Sequence, residues 1–311
     1  MTALLLLVPL LVPFAVPPQA RRCLHRLPPT AALWTLTLAA LVLAGASVAA
    51  LGALVLTGLL KLPFFAGLGE LIHPLDTPSD FFVLPAAAAA TGALTLGALT
   101  LARSALRQFR AFRTARRQAD RRPAAGDLCV IDSPHPDAYA LPGRPHRIVV
   151  TTGMLRSLGP QEREALFAHE RAHNAGGHHR FLVVADLAAH CHPGLRPVRE
   201  AIGLAVERAA DEAAAVAVGD RRLTARAIAR AALAARAARS ERPDFAPAAT
   251  TGPVPQRVAA LLAPPVRGRP RAASWIAVPL ALCAVLSAGA STTGVVTFHH
   301  QVEVAQGEAP R

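Results

Sequence analysis

Lysine is nearly missing from this chain. Lys61 is the only one, and the residue three positions before it is Gly58, so no Ser-x-x-Lys acylation motif exists. Cysteine is scarce too. Cys23, Cys129, Cys191 and Cys283 form no Cys-x-x-Cys pair, which argues against a disulfide framework and makes reduced thiols the expectation for a cytosolic segment. Formal charge is absent from four long stretches, residues 1–20, 27–60, 81–102 and 272–298. Each approaches or exceeds the roughly 20 apolar residues that cross a bilayer. The first is short and interrupted by Pro9, Pro13, Pro17 and Pro18. It lacks the positive start and small-x-small cleavage site of a signal peptide, so it reads as a retained span.

The charge that is present is concentrated. Residues 103–271 hold 28 arginines against 15 acidic residues, and the remainder balances at 5 against 5, so the whole net charge of +13 sits in one segment. A GC-rich genome also favours arginine, so the count alone carries little weight; its placement carries more. The turn with Arg21, Arg22 and Arg26 is basic. The loop 61–80 carries Glu70, Asp76 and Asp80 against Lys61, and the tail carries Glu303 and Glu308. The positive-inside rule then places residues 21–26 and 103–271 in the cytoplasm and both chain ends outside a cell membrane crossed several times. Arg103, Arg107, Arg110, Arg113, Arg116 and Arg117 recur at helical spacing among Leu106, Phe109 and Phe112. Because this stretch abuts a span, it reads as a juxtamembrane helix on anionic lipid heads. Nucleic-acid binding is the weaker reading.

Inside the basic segment lies His169-Glu170-Arg171-Ala172-His173. Two histidines four apart share one helix face and can reach one metal ion, while Glu170 points beside the metal and suits a general base. This is the HExxH arrangement of zinc hydrolases. Pro160 suits the first helical position, Glu162 suits the positive end of the helix dipole, and Gly159 is a tolerable cap. Residues 174–177 end the helix. His178, His179, His190 and His192 are read as loop residues and not ligands. Residues 181–189 are apolar enough for a buried or membrane-facing helix. The next helix, about 199–218, is expected to bury Ile202, Val206, Ala209, Ala213 and Val216. It carries Glu207 and Asp211, again four apart. HExxH supplies two ligands where a catalytic zinc takes three, so a carboxylate on a second helix completes the set. By spacing, Asp211 suits the outer partner that a metal-bound histidine needs. Residues 128–132 and 147–152 read as strands, and residues 139–145 between them as a turn or loop. Residues 221–239 read as a solvated packing helix, and residues 240–271 as a flexible connector with a short helical island at 256–263.

These features resemble membrane metallopeptidases of the BlaR/MecR type, the antirepressor sensors of β-lactam resistance. The likeness rests on His169–His173, on the run Ala-Asp-Leu-Ala-Ala-His-Cys-His-Pro at 185–193, on Glu207-Arg-Ala-Ala-Asp211-Glu-Ala-Ala, and on four spans with the zinc segment between the third and fourth. The resemblance implies a gluzincin-like fold, one zinc ion on His169, His173 and Glu207, Glu170 as base, and Asp211 behind the ligands. It also implies that the strand near 147–152 is the edge on which a substrate chain lies. Sensor members carry an extracellular penicillin-binding domain after the fourth span. Only residues 299–311 follow here, so β-lactam sensing is not carried over. Housekeeping proteases of the HtpX type and prenyl-protein proteases are similar in both metal motifs but arrange their spans differently.

The resulting expectation is a mainly α membrane protein. Transmembrane helices lie at 1–20, 31–60, 81–102 and 272–298, a cytoplasmic α+β gluzincin-like metallopeptidase domain at 103–239, a connector at 240–271 and a short outer tail at 299–311. Its partners are the lipid bilayer and a protein or peptide substrate, with a cytosolic repressor, or the chain itself, as the candidate substrate. The rival from another class is a non-catalytic adaptor that binds lipid or nucleic acid through the basic segment.

Overall fold

The computed structural model describes residues 2–68, 80–122, 125–236, 253–264 and 270–306. Among these, three helices are long and apolar enough to cross a membrane. The central one is α3 (Pro29–Leu60), which packs against the other two and against the helices spanning 178–191 and 196–218. The expected first span is broken. Residues 2–15 form α1 (Thr2–Ala15), Val16 interrupts, and α2 (Pro17–Arg26) begins at the Pro17–Pro18 pair. Fourteen helical residues measure only about 21 Å, short of a hydrocarbon core of roughly 30 Å. Prolines shape α1 as well. Pro13 has no N–H to give to the carbonyl of Pro9 four residues back. The Ser47 hydroxyl of α3 donates to that oxygen instead, at 2.8 Å.

A short α4 (Pro63–Leu68) follows α3, and the acids Glu70 and Asp76 of the loop lie outside the described residues. The next span does not stop where its apolar run stops. α5 (Asp80–Asp120) continues unbroken through the arginine stretch, so the expected boundary at 102/103 is a change of surface, not of backbone. Its polar half is anchored by Ser104 and Gln108, which donate to Asp186 at 3.2 and 3.1 Å. Arg103, Arg107, Arg110, Arg113 and Arg117 are exposed along one side.

Three strands follow: β1 (Leu128–Ile131), β2 (Ala138–Leu141) and β3 (Arg147–Thr151). Two expectations fail here. Residues 138–141 are a strand where the sequence suggested a turn, because small Ala138 and Ala140 pair antiparallel with Val150 and Ile148. In addition, β3 is the middle of the sheet, in the order β1-β3-β2, with β1 parallel to it. Its hydrogen bonds are spent on both sides, so it cannot be the edge that receives a substrate strand.

Thr151 caps the short α6 (Thr152–Ser157), accepting from the Met154 N–H at 3.2 Å. α7 (Pro160–Ala175) then starts with Pro160 in the first turn, and the Gly159 N–H donates back to Glu162 at 2.8 Å. α8 (His178–Cys191) runs on to a single 3-10 turn (Pro193–Leu195) and α9 (Arg196–Val218). The buried face of α9 departs from the expected stripe. Ile202 and Val206 are inside, but Ala213 is exposed and Val216 is 81% exposed. Glu207, Ala210, Asp211 and Ala214 are buried instead, because the two acids turn toward α7. α10 (Arg221–Arg236) is less solvated than expected. It buries Leu223, Ala227, Ile228 and Ala231, and its Arg230 donates to Glu162 at 2.8 Å. The connector contributes α11 (Val254–Leu262), and the rest of residues 237–269 lies outside the description apart from 253–264. The last long apolar helix is α12 (Pro270–Gln306).

One buried cluster joins α2 and α3 to α8 and α9 through Leu24, Leu36, Leu43, Ala188, Ile202 and Val206. The long apolar helix α3 and the site helix α9 therefore share a core.

Candidate metal centre

α7 and α9 pack side by side and bring five polar side chains into an apolar interior. His169, Glu170 and His173 come from α7, and Glu207 and Asp211 from α9; none is more than 3% exposed. Burying so many ionisable groups is costly unless each is paired. Their arrangement shows how the cost is met.

The His169 and His173 Nε2 atoms face each other at 3.0 Å. Glu207 reaches both, with Oε2 3.6 Å from His169 Nε2 and Oε1 3.8 Å from His173 Nε2. A tetrahedron of ligands at zinc distances of 2.0–2.1 Å has edges of about 3.3 Å. Two imidazoles and one carboxylate at this spacing fit a single divalent cation, and all three ligand atoms lie within 4.8 Å of one another. Among the described residues this is the one His/Cys/Asp/Glu group of that kind. The donor chemistry suits zinc, which takes mixed nitrogen and carboxylate sets.

The outer nitrogens have partners of their own. His169 Nδ1 lies 3.0 Å from Asp211 Oδ1. His173 Nδ1 lies 2.9 Å from His178 Nδ1. Electrostatics separates the two histidines. Burial disfavours charge on His169, but Asp211 and Glu207 outweigh it and push its pKa up to about 9. Burial, together with His169, drives His173 well below the ordinary histidine range. Burial also brings His178 down to about 4. Of the three histidines, His169 is the one whose surroundings favour positive charge.

A fifth element enters from the connector. Arg257 of α11 is fully buried, with NH1 2.9 Å from Glu207 Oε2. Its Nε and NH2 donate to the two oxygens of Asp211 at 2.8 and 2.6 Å. This bidentate fork is the geometry guanidinium makes best with a carboxylate. Burial pushes the Asp211 pKa up, yet the Arg257 bonds more than offset it and hold the carboxyl below its usual range. Arg257 also lies close enough for its charge to act on Glu170.

All five residues singled out in the sequence therefore converge. His190 and His192 do not join them: His190 Nδ1 bonds the Asp186 carbonyl at 2.8 Å, and His192 Nε2 donates to the Leu10 carbonyl of α1 at 3.0 Å. His179 has no part in the cluster either. Arg257 and His178 were missed. Arg257 did leave a signal. It falls on the apolar stripe Val254, Val258 and Leu261 of a nine-residue helix, where a charge needs a buried partner.

A HExxH helix set against a carboxylate helix is the arrangement of a zincin-type metallopeptidase. Residues 107–192 match the model of Peptidase family M48, which supports a metallopeptidase hydrolase. The matched region runs from α5 through the sheet and α7 to the end of α8, and stops before Glu207, Asp211 and Arg257. No curated protein and no solved structure matches the chain.

Proposed function

We propose that this chain is a membrane zinc metalloendopeptidase that hydrolyses peptide bonds of a protein substrate at the cytoplasmic face. The observation that carries the reading is the closed triangle of His169, His173 and Glu207 on two packed helices, in register with a HExxH glutamate. In this reading the three are the metal ligands, Glu170 is the general base, and Asp211 orients His169. A zinc ion held there supplies Lewis acidity for the scissile carbonyl and the attacking water. Glu170 takes the proton of that water and passes it to the leaving amine. The Asp211 carboxylate holds His169 with Nε2 turned inward. Burial of the whole set keeps bulk water away from the charges.

With β3 enclosed, a substrate chain needs another edge. β2 is an edge strand that packs against α7, and is the one we assign. Sidedness follows the arginines. Arg21, Arg22 and Arg26 are on α2, which packs on α9, so the basic turn and the site lie on the same side. The site lies between the last two of the three long apolar helices, which keeps the BlaR/MecR type as the finer reading, and a cytosolic repressor as the substrate class by analogy. A convergent buried cation site disfavours the adaptor that only binds lipid or nucleic acid.

The test is hydrolysis of a reporter protein by full-length protein in detergent. A strong chelator abolishes cleavage and stoichiometric zinc restores it. Cleavage that persists after complete metal removal contradicts the proposal.

A further inference from the structure

His178 stands five positions past His173, yet the chain folds it back against that residue. Gly176 ends α7, and Gly177 takes a φ of 59°, the left-handed region that favours glycine. The turn leaves His178 as the first residue of α8 with its ring across that of His173, centroids 5.0 Å apart and planes at 82°. His178 is 6% exposed. Gly176 makes room for this ring. A Cβ there would lie 2.5 Å from His178 Nε2 and 2.7 Å from its Cδ2, although the backbone φ of −77° is open to any residue.

Two ring nitrogens 2.9 Å apart share one hydrogen. His173 Nε2 faces His169 and Glu207, so for a cation it must offer a lone pair. Its hydrogen is then on Nδ1, which donates to the lone pair of His178 Nδ1, and His178 carries its own hydrogen on Nε2. We propose that His178 is the positioning residue for His173: it fixes the tautomer and ring plane of that ligand, as Asp211 does for His169. The two ligands differ in consequence. His169 has an anion behind it, and His173 has a neutral imidazole. A neutral acceptor orients its ligand without adding negative charge, and so leaves the cation a stronger Lewis acid than a second carboxylate would. His178 itself is not a ligand, since neither of its nitrogens faces the triangle. The inference rests on the cation-site reading above.

The test uses full-length protein in detergent, with Zn²⁺ and Co²⁺ as probes. His178→Phe keeps a ring but no acceptor. His178→Asn keeps an oxygen near the Nδ1 position. Gly176→Ala displaces the ring and leaves its chemistry intact. Zinc affinity, read by chelator competition, is expected to fall about 10–100-fold in His178→Phe, the usual worth of such a partner. It should return to within a few-fold of wild type in His178→Asn and fall again in Gly176→Ala. The Co²⁺ visible spectrum should change in the first and third variants and stay in the second. Equal losses in His178→Phe and His178→Asn, or wild-type affinity and spectrum in all three, overturn the role while the cation site stands. A wild type that binds neither ion overturns both.

Discussion

Replacing Glu170 with glutamine leaves the metal bound and lowers peptide hydrolysis by about 10²–10⁴-fold, the span a positioned general base contributes. The separation of the two effects follows from the geometry. Glu170 follows His169 on α7, is fully buried at the same site, and is not one of the three residues that form the triangle. Glutamine keeps its volume and hydrogen-bonding reach but cannot accept a proton. The measurement is turnover of a protein substrate alongside metal content of the same preparation. Retained hydrolysis in the variant, with metal present, sinks the assignment of Glu170 as base.

Replacing Arg257 with alanine destabilises the metal-free protein by about 3–5 kcal/mol, the cost of leaving buried charge without its partner. Glu207 and Asp211 would both lose the guanidinium that bridges them, with only His169 left to share their charge. Zinc should restore part of the loss, because a divalent cation meets the same need for positive charge. The variant therefore gains more stability from zinc than the wild type does. Arg257→Lys tests the fork: charge is kept, the bidentate geometry is lost, and the effect should be intermediate. Thermal unfolding in detergent with and without zinc reads all three. A metal-free Arg257→Ala protein as stable as wild type contradicts the account of Arg257 as a member of the site.

These two residues mark how far the sequence could be read. Glu170 was legible because HExxH is a local pattern: four-residue spacing on one helix face fixes which side chains meet. Glu207 and Asp211 were legible for the same reason, one helix further on. Arg257 was not, because its partners are 46 and 50 residues away and its helix is flanked by proline-rich chain. Polar burial also rotated α9 away from its expected face: Val216 was given to the core, and the core holds two acids that pair across the helix interface. The sheet shows the same limit. β1 and β3 announce themselves by Val and Ile, whereas β2 is Ala-Tyr-Ala-Leu before Pro-Gly and becomes a strand only because β3 lies beside it. The turn back to His178 is a contact of the same kind, since Gly176-Gly177 reads as a helix end and only three dimensions show what it brings home.

The central claim is that two helices hold one divalent cation on His169, His173 and Glu207. Elemental analysis of full-length protein purified without chelators tests it most directly, with Glu207→Ala in parallel. One zinc per chain in the wild type, and a loss of most of it in the variant, is the expected result. A wild type without stoichiometric metal after zinc is supplied, or a Glu207→Ala protein that keeps its full complement, contradicts it.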